Sequence, residues 1–315
     1  MAQPTNTFST YDAIGNREDL SDFITNISPT KTPFQSMMST VSATSTKNEW
    51  QTDSLAAASG TNAVIEGDDA TTDASVATTR LFNFTQILDK VPRVTGTQRA
   101  MDSAGRADEM DYQILKRTKE IKRDLETSLL ANNAQVAGND TTAREMGGIE
   151  SWIATNDDFG AGAGASPTGD GTDARTDGTQ RAFTESQLKT VIASCFDQGG
   201  EPDTISVGSF NKQALSAFSG GSTRNIDATA KTLVNAVDVY VSDFGTMQVM
   251  PNRFQRSRTA LVLEMDKWQM ADLRPFQRFD LAKTGDTERV QLIMETTLVS
   301  LNEAASGGVF DLTTS

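Results

Sequence analysis

The chain has 315 residues, with 28 Lys and Arg against 42 Asp and Glu, for a formal net charge of -14. That length supports two modest domains or one elaborated domain with a full core, and that charge excludes general attraction to nucleic acid without a local basic patch. The absence of histidine removes the commonest general base and transition-metal ligand, and a single cysteine, Cys195, excludes an intramolecular disulfide.

No stretch of the sequence is long and apolar enough to predict a membrane span, and the N-terminus MAQPTNTFST shows no signal-peptide pattern. Cys195 falls on the apolar face of a predicted helix, so we interpret it as a small core residue. No histidine is available to activate it as a nucleophile. The sequence therefore predicts no catalytic residues, no cofactor and no metal site.

The N-terminal segment, residues 1–47, is polar and contains one short amphipathic pattern. Its apolar positions are spaced at i, i+3, i+4 and i+7 and are Leu20, Phe23, Ile24 and Ile27. Ser28-Pro29 ends the predicted helix, and Pro33 predicts extended residues after it. One short helix cannot bury its own apolar face, so we expect this arm to dock on its own domain or on a neighbouring chain.

Residues 48–96 contain two β-patterned stretches around a polar loop. Residues 48–52, with Trp50, predict one strand, and the alternation over 80–94 predicts another. Between them, residues 53–79 are small and acidic and lack aromatic residues and lysine. Composition alone favours a disordered linker. The flanking strands favour a second interpretation, a long hairpin whose tip is held by another subunit.

Residues 107–131 predict one long helix. The apolar stripe consists of Met110, Ile114, Ile121, Leu125 and Leu129. Asp108, Glu109 and Asp111 are placed in the first turn, where negative charge suits the helix dipole. The pattern contains no Gly or Pro, so the helix would span roughly 35–40 Å at 1.5 Å per residue. Few globular helices are this long, which indicates a structural spine.

After this helix, Gly147-Gly148 predicts a tight turn into a buried segment with Trp152. Residues 159–180 are low in complexity and predict an exposed loop. Two site types can be considered there. The glycines Gly160, Gly162 and Gly164 lack the strand and the GK[ST] ending of a phosphate loop. The acids Asp170, Asp173 and Asp177 miss the EF-hand spacing and its closing glutamate.

Helices and strands then alternate as in one compact α/β lobe. A capping box at Thr184 and Gln187 begins a helix that ends at Gly199-Gly200. Further predictions are a strand at 204–207, a helix at 211–218, a β-pair at 234–241 and 246–250, and a central strand at 259–265. Two long strands, 272–280 and 288–301, follow around a turn at Gly285-Asp286 and complete the layer that begins at residue 97.

This order of elements resembles the major capsid proteins of tailed bacteriophages, which have the Hong Kong 97-type fold. Three motifs resemble the podovirus-like and marine-phage branch: NREDLSDFITNISPTKTPF, REMGGIESWI and LAKTGDTERVQLIMETTLVSLNEAASGGVFDL. The resemblance covers essentially the whole chain. It implies an α+β fold with an N-arm (1–47), an E-loop (48–96), a P-domain (97–150 and 269–315) and an A-domain (151–268).

The resemblance also implies a function. We expect hexamers and pentamers of this chain to form an icosahedral head around double-stranded DNA in the virion, assembled in the host bacterial cytoplasm. Expected partners are a portal protein, a separate scaffolding protein and a decoration protein. We expect the scaffolding protein to be a separate chain because this sequence starts directly with the arm. A precursor segment that is not seen in this sequence is the alternative. The loop at 53–79 lacks lysine, so a non-covalent shell is expected.

Candidate interface residues follow from charge and apolarity. We expect Phe23 and Ile24 of the arm, and the acids Asp68, Asp69 and Asp73 of the loop, to contact neighbouring subunits. Charge alone suggests Arg274, Arg278 and Arg289 as the partners of those acids. A basic stretch on the long helix could meet DNA phosphates if it faces the interior, or could be a solvated face or form salt bridges between subunits: Lys116, Arg117, Lys119, Lys122 and Arg123.

The residues alone leave three other functions open. An encapsulin-like cellular compartment would share the fold. A hydrolase would depend on Ser209 and Lys212, around which neither GxSxG nor SxxK is present. A phage tail or adhesion protein would share the composition but not the order of elements.

Overall fold

The computed structural model describes residues 28–69, 75–102, 105–218 and 238–314. Its helices are α1 Pro33–Met37, α2 Gly96–Ala100, α3 Glu109–Leu129, α4 Glu185–Asp197 and α5 Ser209–Ser216. The strands are β1 Ser39–Ser42, β2 Lys47–Thr52, β3 Thr79–Phe84, β4 Gln86–Lys90, β5 Arg93–Thr95, β6 Asp157–Asp158, β7 Thr204–Val207, β8 Val239–Ser242, β9 Gly245–Pro251, β10 Ala260–Leu263, β11 Trp268–Asp280, β12 Thr287–Ser300 and β13 Gly307–Val309. The α+β class is confirmed.

The predicted long helix is α3. It begins two residues after the predicted start and ends two residues before the predicted end. Asp108 is its N-cap rather than a first-turn residue, since its carboxylate accepts a hydrogen bond from the Met110 N–H at 2.6 Å. Ile121, Leu125 and Leu129 are buried in the main core as predicted. Together with the half-buried Ile114 they form the face that packs against the sheet.

The long strands form the centre of a five-stranded sheet. The order is β1-β11-β12-β4. β5 also pairs with β12, at residues 287–289, which precede the residues of β12 that pair with β4. β11 and β12 are antiparallel from Trp268↔Ser300 to Asp280↔Val290. β1 runs parallel to β11 only as far as Asp272. The outer half of β11 therefore has no strand on that side among the described residues.

A six-stranded sheet forms the α/β lobe, in the order β6-β13-β10-β7-β9-β8. β10 is central, as predicted for residues 259–265, and α4 buries its predicted inner face. β13 comes from the C-terminal segment that was expected to belong wholly to the long-strand layer. It pairs with β10 instead, so the chain returns to the lobe after β12.

The stretch 80–94 was predicted to be one strand, and this prediction was wrong. It is divided among β3, β4 and β5. At Thr85 the chain leaves the β2–β3 hairpin and enters the large sheet, and the Thr85 hydroxyl donates to the buried Glu295 at 2.7 Å. Pro92, between β4 and β5, has no N–H to offer a strand ladder.

Two smaller predictions also need correction. Pro33 does not keep the next residues extended but occupies the first turn of α1, where its missing N–H is not needed. α5 begins at Ser209, two residues before the predicted start. The predicted helix at residues 20–27, and the part of the predicted β-pair from 234 to 237, lie outside the described residues.

Candidate assembly surfaces

The β2–β3 hairpin projects a long connection from the body of the molecule. Its antiparallel stem runs from Lys47↔Phe84 to Thr52↔Thr79. Trp50 in the stem packs on Trp152 of the body, with ring centroids 5.4 Å apart. These contacts confirm the predicted hairpin and fix the direction in which its connection leaves the body.

Every described residue of the connection, 53–69 and 75–78, is exposed. Four of them carry large apolar side chains that are 79–98% exposed: Leu55, Val64, Ile65 and Val76. The connection buries none of these four aliphatic side chains itself, so their burial would require another surface. We use the name "hairpin tip" for residues 53–78.

The predicted acids of the hairpin tip have few partners within the chain. Asp68 accepts a hydrogen bond from the neighbouring Asp69 N–H at 3.0 Å. Among the described residues, no Lys or Arg nitrogen lies within 4.0 Å of either carboxylate. Asp73 lies outside the described residues.

The three arginines proposed as partners differ in availability. Arg274 donates to Glu295 of its own chain at 2.7 Å, and Glu295 is buried. Arg289 donates to the Ala282 carbonyl at 2.9 Å. Arg278 is half exposed, and its contact with Asp280 is 3.5 Å long. Arg278 is therefore the most available of the three.

Arg278 lies on an apolar section of β11. Phe276 and Phe279 on either side of it are exposed by 44% and 48%. The second of two register irregularities in β11 falls at Phe276, and the section lies beyond the end of β1, so one backbone edge is open there in the described chain. An open strand edge with exposed aromatic side chains is a surface that another chain can cover.

The N-terminal arm is attached to the body through Glu126 of α3. The Glu126 carboxylate is buried and accepts hydrogen bonds from the N–H groups of Phe34 and Gln35, each at 2.9 Å, and from the Asn252 side chain at 2.6 Å. Burial raises the pKa of Glu126, against these hydrogen bonds, which lower it. Phe23 and Ile24 lie outside the described residues.

The predicted basic stretch lies on the outer side of α3. Arg117 is paired with Glu120 at 2.5 Å, and Arg123 lies over the Phe254 ring at 5.7 Å. The remaining three side chains are exposed, with no acid within 4.0 Å in the described part of the chain: Lys116, Lys119 and Lys122. They form a positive strip on a protein whose formal net charge is -14.

Residues 159–180 form a loop without helix or strand, and most of them are exposed, as predicted, but the sequence did not show that the loop is held to the lobe. Asp311 is buried and accepts hydrogen bonds from the N–H groups of Gly160 at 3.0 Å and Gly178 at 2.9 Å. Arg175, also buried, donates to Asp157 at 2.7 Å. Many side chains of the segment remain exposed, but its backbone is fixed at both ends to the lobe.

The acids of this segment are structural. Asp177 pairs with Arg256 at 2.5 Å and with Arg258 at 3.1 Å. Asp170 and Asp173 cap local turns through Thr168. Among the described residues no group of Asp, Glu, Cys or His could hold a metal ion. These contacts give Asp170, Asp173 and Asp177 a role without calcium.

Cys195 lies in the lobe core, as predicted, and burial raises the pKa of its thiol to about 12. At neutral pH the thiol is therefore protonated and a poor nucleophile. The described helices include none with the length and hydropathy of a membrane span.

Sequence reasoning missed four buried carboxylates: Glu126, Glu150, Glu295 and Asp311. Glu150 pairs with Arg256 at 2.5 Å, and burial raises its pKa against the effect of that arginine. For Glu126, the sequence signal of burial is its position directly after Leu125 of the apolar stripe. The partners themselves are too distant in sequence to be anticipated.

Comparison with known proteins gives consistent matches over the whole chain. A family model described as SU10 major capsid protein matches residues 3–313. The major capsid protein of Escherichia phage Phieco32 is 30% identical over 348 residues, covering 98% of each chain.

Solved structures extend the likeness to the fold. The capsid asymmetric unit of cyanophage A-1(L) has a TM-score of 0.71 at 11% identity, covering 98% of this chain and 99% of that chain. The major capsid proteins of phage G, solved with decoration proteins, have a TM-score of 0.54 at 10% identity, covering 99% and 100%.

Proposed function

We propose that this chain, which belongs to the SU10 major capsid protein family, builds hexamers and pentamers in which each hairpin tip lies across the long strands of a neighbouring subunit. The chain is the major capsid protein of a tailed bacteriophage and a structural component of the virion. Its likeness to phage capsids confirms the expected Hong Kong 97-type fold. The encapsulin-like, hydrolase and tail-protein alternatives are not favoured.

The observation that carries the proposal is the exposed aliphatic surface of the hairpin tip. Leu55 and Val64 are 98% and 83% exposed although the stem beneath them is paired and packed. Burying one such side chain contributes about 1.5–3 kcal/mol. A neighbouring subunit is the natural cover for a surface that is repeated in every copy of the shell.

The outer half of β11 is our candidate for the covering surface. It offers Phe276 and Phe279 for the aliphatic residues of the tip, and Arg278 for Asp68 and Asp69. Asp73 and Arg289 remain candidates at the margin of the same contact. Arg274 is a weaker candidate because Glu295 already holds it.

The domain division is also a proposal. We assign residues 1–47 to the N-arm, 48–96 to the E-loop, 97–150 and 269–300 to the P-domain, and 151–268 to the A-domain. The last residues, 301–315, were expected in the P-domain. We assign them to the A-domain, because β13 pairs with β10 in the lobe.

Further partners follow from the role of a shell protein. We propose a portal protein, a separate scaffolding protein and a decoration protein as partners, with assembly in the host bacterial cytoplasm. Contact with packaged DNA would be non-specific and would involve the exposed lysines of α3 and the arginines beside them. Phe23 and Ile24 of the arm were expected to contact other subunits; docking of the arm on its own chain is the alternative that the sequence left open, and the groove described below favours that alternative.

The test is replacement of residues 55–76 by a short Gly-Ser turn. The subunit should still fold, since the segment has no buried side chain among its described residues. Shell formation should fail, because each subunit loses its overlap with a neighbour. Thermal unfolding measures the first result, and negative-stain electron microscopy with analytical ultracentrifugation measures the second.

A matched control replaces residues 139–142, an exposed turn elsewhere on the surface, by Gly-Ser residues. This control should assemble normally. Shells of normal size and stability from the tip-deleted protein would refute the proposed contact. A wild-type protein that stays monomeric at high concentration, with scaffold present, would refute self-assembly itself.

A further inference from the structure

A groove separates the start of the described chain from the α/β lobe. Its volume is about 850 Å³. Val249, Met250 and Pro251 of β9 line one side, and Pro33 and Met37 of α1 line the other. Met37 is 40% exposed, so part of this apolar lining is open to water.

The charge of the groove is opposite to that of the molecule. Its lining residues include three cations, Lys31, Lys212 and Arg253, and no Asp or Glu, although Lys212 already pairs with Asp238 at 3.5 Å. The chain as a whole has a formal net charge of -14. Lys31 and Arg253 are exposed, and no acid lies within 4.0 Å of either among the described residues. The groove therefore suits a ligand that is both apolar and acidic.

The sequence immediately before the groove has this character. Residues 18–27, EDLSDFITNI, contain three acids and no base. The same ten residues carry the i, i+3, i+4, i+7 apolar pattern of an amphipathic helix. Ser28, the next residue, lines the groove itself. A segment joined at the rim has a high effective concentration at the groove.

We propose that residues 18–27 of the same chain dock in this groove. The apolar residues of this segment match the lining that β9 and α1 provide, and its three acids are opposite in charge to Lys31 and Arg253 at the exposed part of the groove. The arm is thereby held against the lobe as well as against α3 through Glu126. A nucleic acid would satisfy the cations but not the apolar lining, so the arm is the better occupant.

A second groove is the specific alternative site at which the arm could dock. It also begins at Ser28 but runs along α3, lined by Leu115, Lys116 and Lys119, and its volume is about 230 Å³. Lys119 is exposed and comparable in charge to Arg253. Positions on α3 therefore provide matched controls for positions in the larger groove.

Cross-linking of the full-length protein tests the location. Ser21→Cys would be combined with Gln213→Cys on α5, or with Leu115→Cys on α3, and treated with a short bismaleimide. The native Cys195 is buried and should not react. We expect the yield of cross-link within one chain to be several-fold higher for Ser21→Cys with Gln213→Cys than for Ser21→Cys with Leu115→Cys. Mass spectrometry of the linked peptides measures both yields. Equal or reversed yields would overturn the proposal.

Mixing distinguishes the chain's own arm from a neighbour's. Subunits carrying only Ser21→Cys would be coexpressed with subunits carrying only Gln213→Cys. Our proposal expects no covalent dimer on a denaturing gel. A dimer as abundant as the single-chain product of the double variant would show that the occupant is a second copy's arm, and would overturn the assignment.

Charge exchange tests the recognition. Lys31→Glu with Arg253→Glu should accelerate amide hydrogen exchange of residues 18–27 several-fold, whereas Lys119→Glu should not. Asp19→Lys with Asp22→Lys should cause the same acceleration, and the combined four-residue variant should restore protection. Unchanged exchange in the groove variant, or no restoration in the combined variant, would contradict the proposed pairing.

Discussion

At the scale of single residues, Ile121 decides whether α3 can pack. It exposes 1% of its surface and lies in the middle of the buried face. Ile121→Asp would bury a carboxylate without a partner, which costs several kcal/mol, comparable with the total stability of a domain. We expect this variant to be insoluble or unfolded.

The matched control is Lys122→Asp, one position along on the exposed side of α3. It should fold with a melting temperature close to that of the wild type. Solubility and thermal unfolding measure both variants. Ile121→Asp that is soluble and melts at the wild-type temperature would show that the buried face of α3 is assigned incorrectly.

Glu126 holds three donors at one buried point. Glu126→Ala would leave the N–H groups of Phe34 and Gln35 and the Asn252 side chain without their acceptor. We expect the free energy of unfolding to fall by about 1–3 kcal/mol. Asp124→Ala is the control, because Asp124 is exposed and makes a surface pair with Lys90, worth about 0–1 kcal/mol. Urea unfolding measures the difference, and equal effects would argue against the anchor.

The raised pKa of Glu126 predicts a pH dependence. Burial raises the folded-state pKa, so the folded protein holds the proton more tightly than the unfolded chain. This contribution to stability is present at acidic pH and is lost as pH rises from the usual glutamate range through the raised pKa. Relative to Glu126→Gln, the wild type should therefore lose free energy of unfolding as pH rises. Parallel pH curves for the two proteins would contradict this.

At the scale of elements, Asp311 holds the glycine-rich segment to the lobe. Its φ of 58° is in the left-handed region, which Asp and Asn tolerate better than most residues. Asp311→Asn keeps that tolerance and one acceptor but loses the ion pair with Arg258. Asp311→Ala loses every side-chain contact, including those to Gly160 and Gly178.

We expect amide exchange of residues 160–178 to accelerate in both variants, and more in Asp311→Ala. Hydrogen exchange with mass spectrometry measures the effect. Asp173→Ala is the control within the same segment, since Asp173 bonds locally to Thr168. A change confined to that local turn is expected for the control. If Asp311→Ala exchanges no faster than wild type, the segment is held by other contacts.

At the scale of the whole molecule, weak contacts become important by repetition. Asp68→Lys with Asp69→Lys should raise the protein concentration needed for assembly, although one exposed pair is worth only about 0–1 kcal/mol. The wild-type threshold should also rise with salt, because the Debye length shortens. Light scattering across a salt series measures both effects.

Arg278→Asp in the same background should restore assembly in part, whereas Arg289→Asp should not, because Arg278 is the more exposed of the two and Arg289 already bonds to the Ala282 carbonyl. A threshold that is independent of salt and of these charges would show that the hairpin tip binds through apolar contacts alone.

The sequence alone determined the elements whose signals are local. The spacing of apolar residues located α3, the capping box at Thr184 and Gln187 located the start of α4, and alternation around Gly285 located the two long strands. The motifs of the whole chain also indicated the capsid family. Periodicity and turn chemistry depend on neighbours a few residues away, which a sequence displays directly.

Only the tertiary structure decided where the buried polar groups find their partners. Glu126 meets Phe34 across 92 residues, Asp311 meets Gly160 across 151, and Glu295 meets Thr85 across 210. One of these contacts lies at Thr85, where the predicted strand is divided, and another anchors the glycine-rich segment that the sequence predicted to be an exposed loop. A buried carboxylate must be hydrogen-bonded, but which distant group satisfies it depends on how the sheets and helices pack, and no local pattern records that.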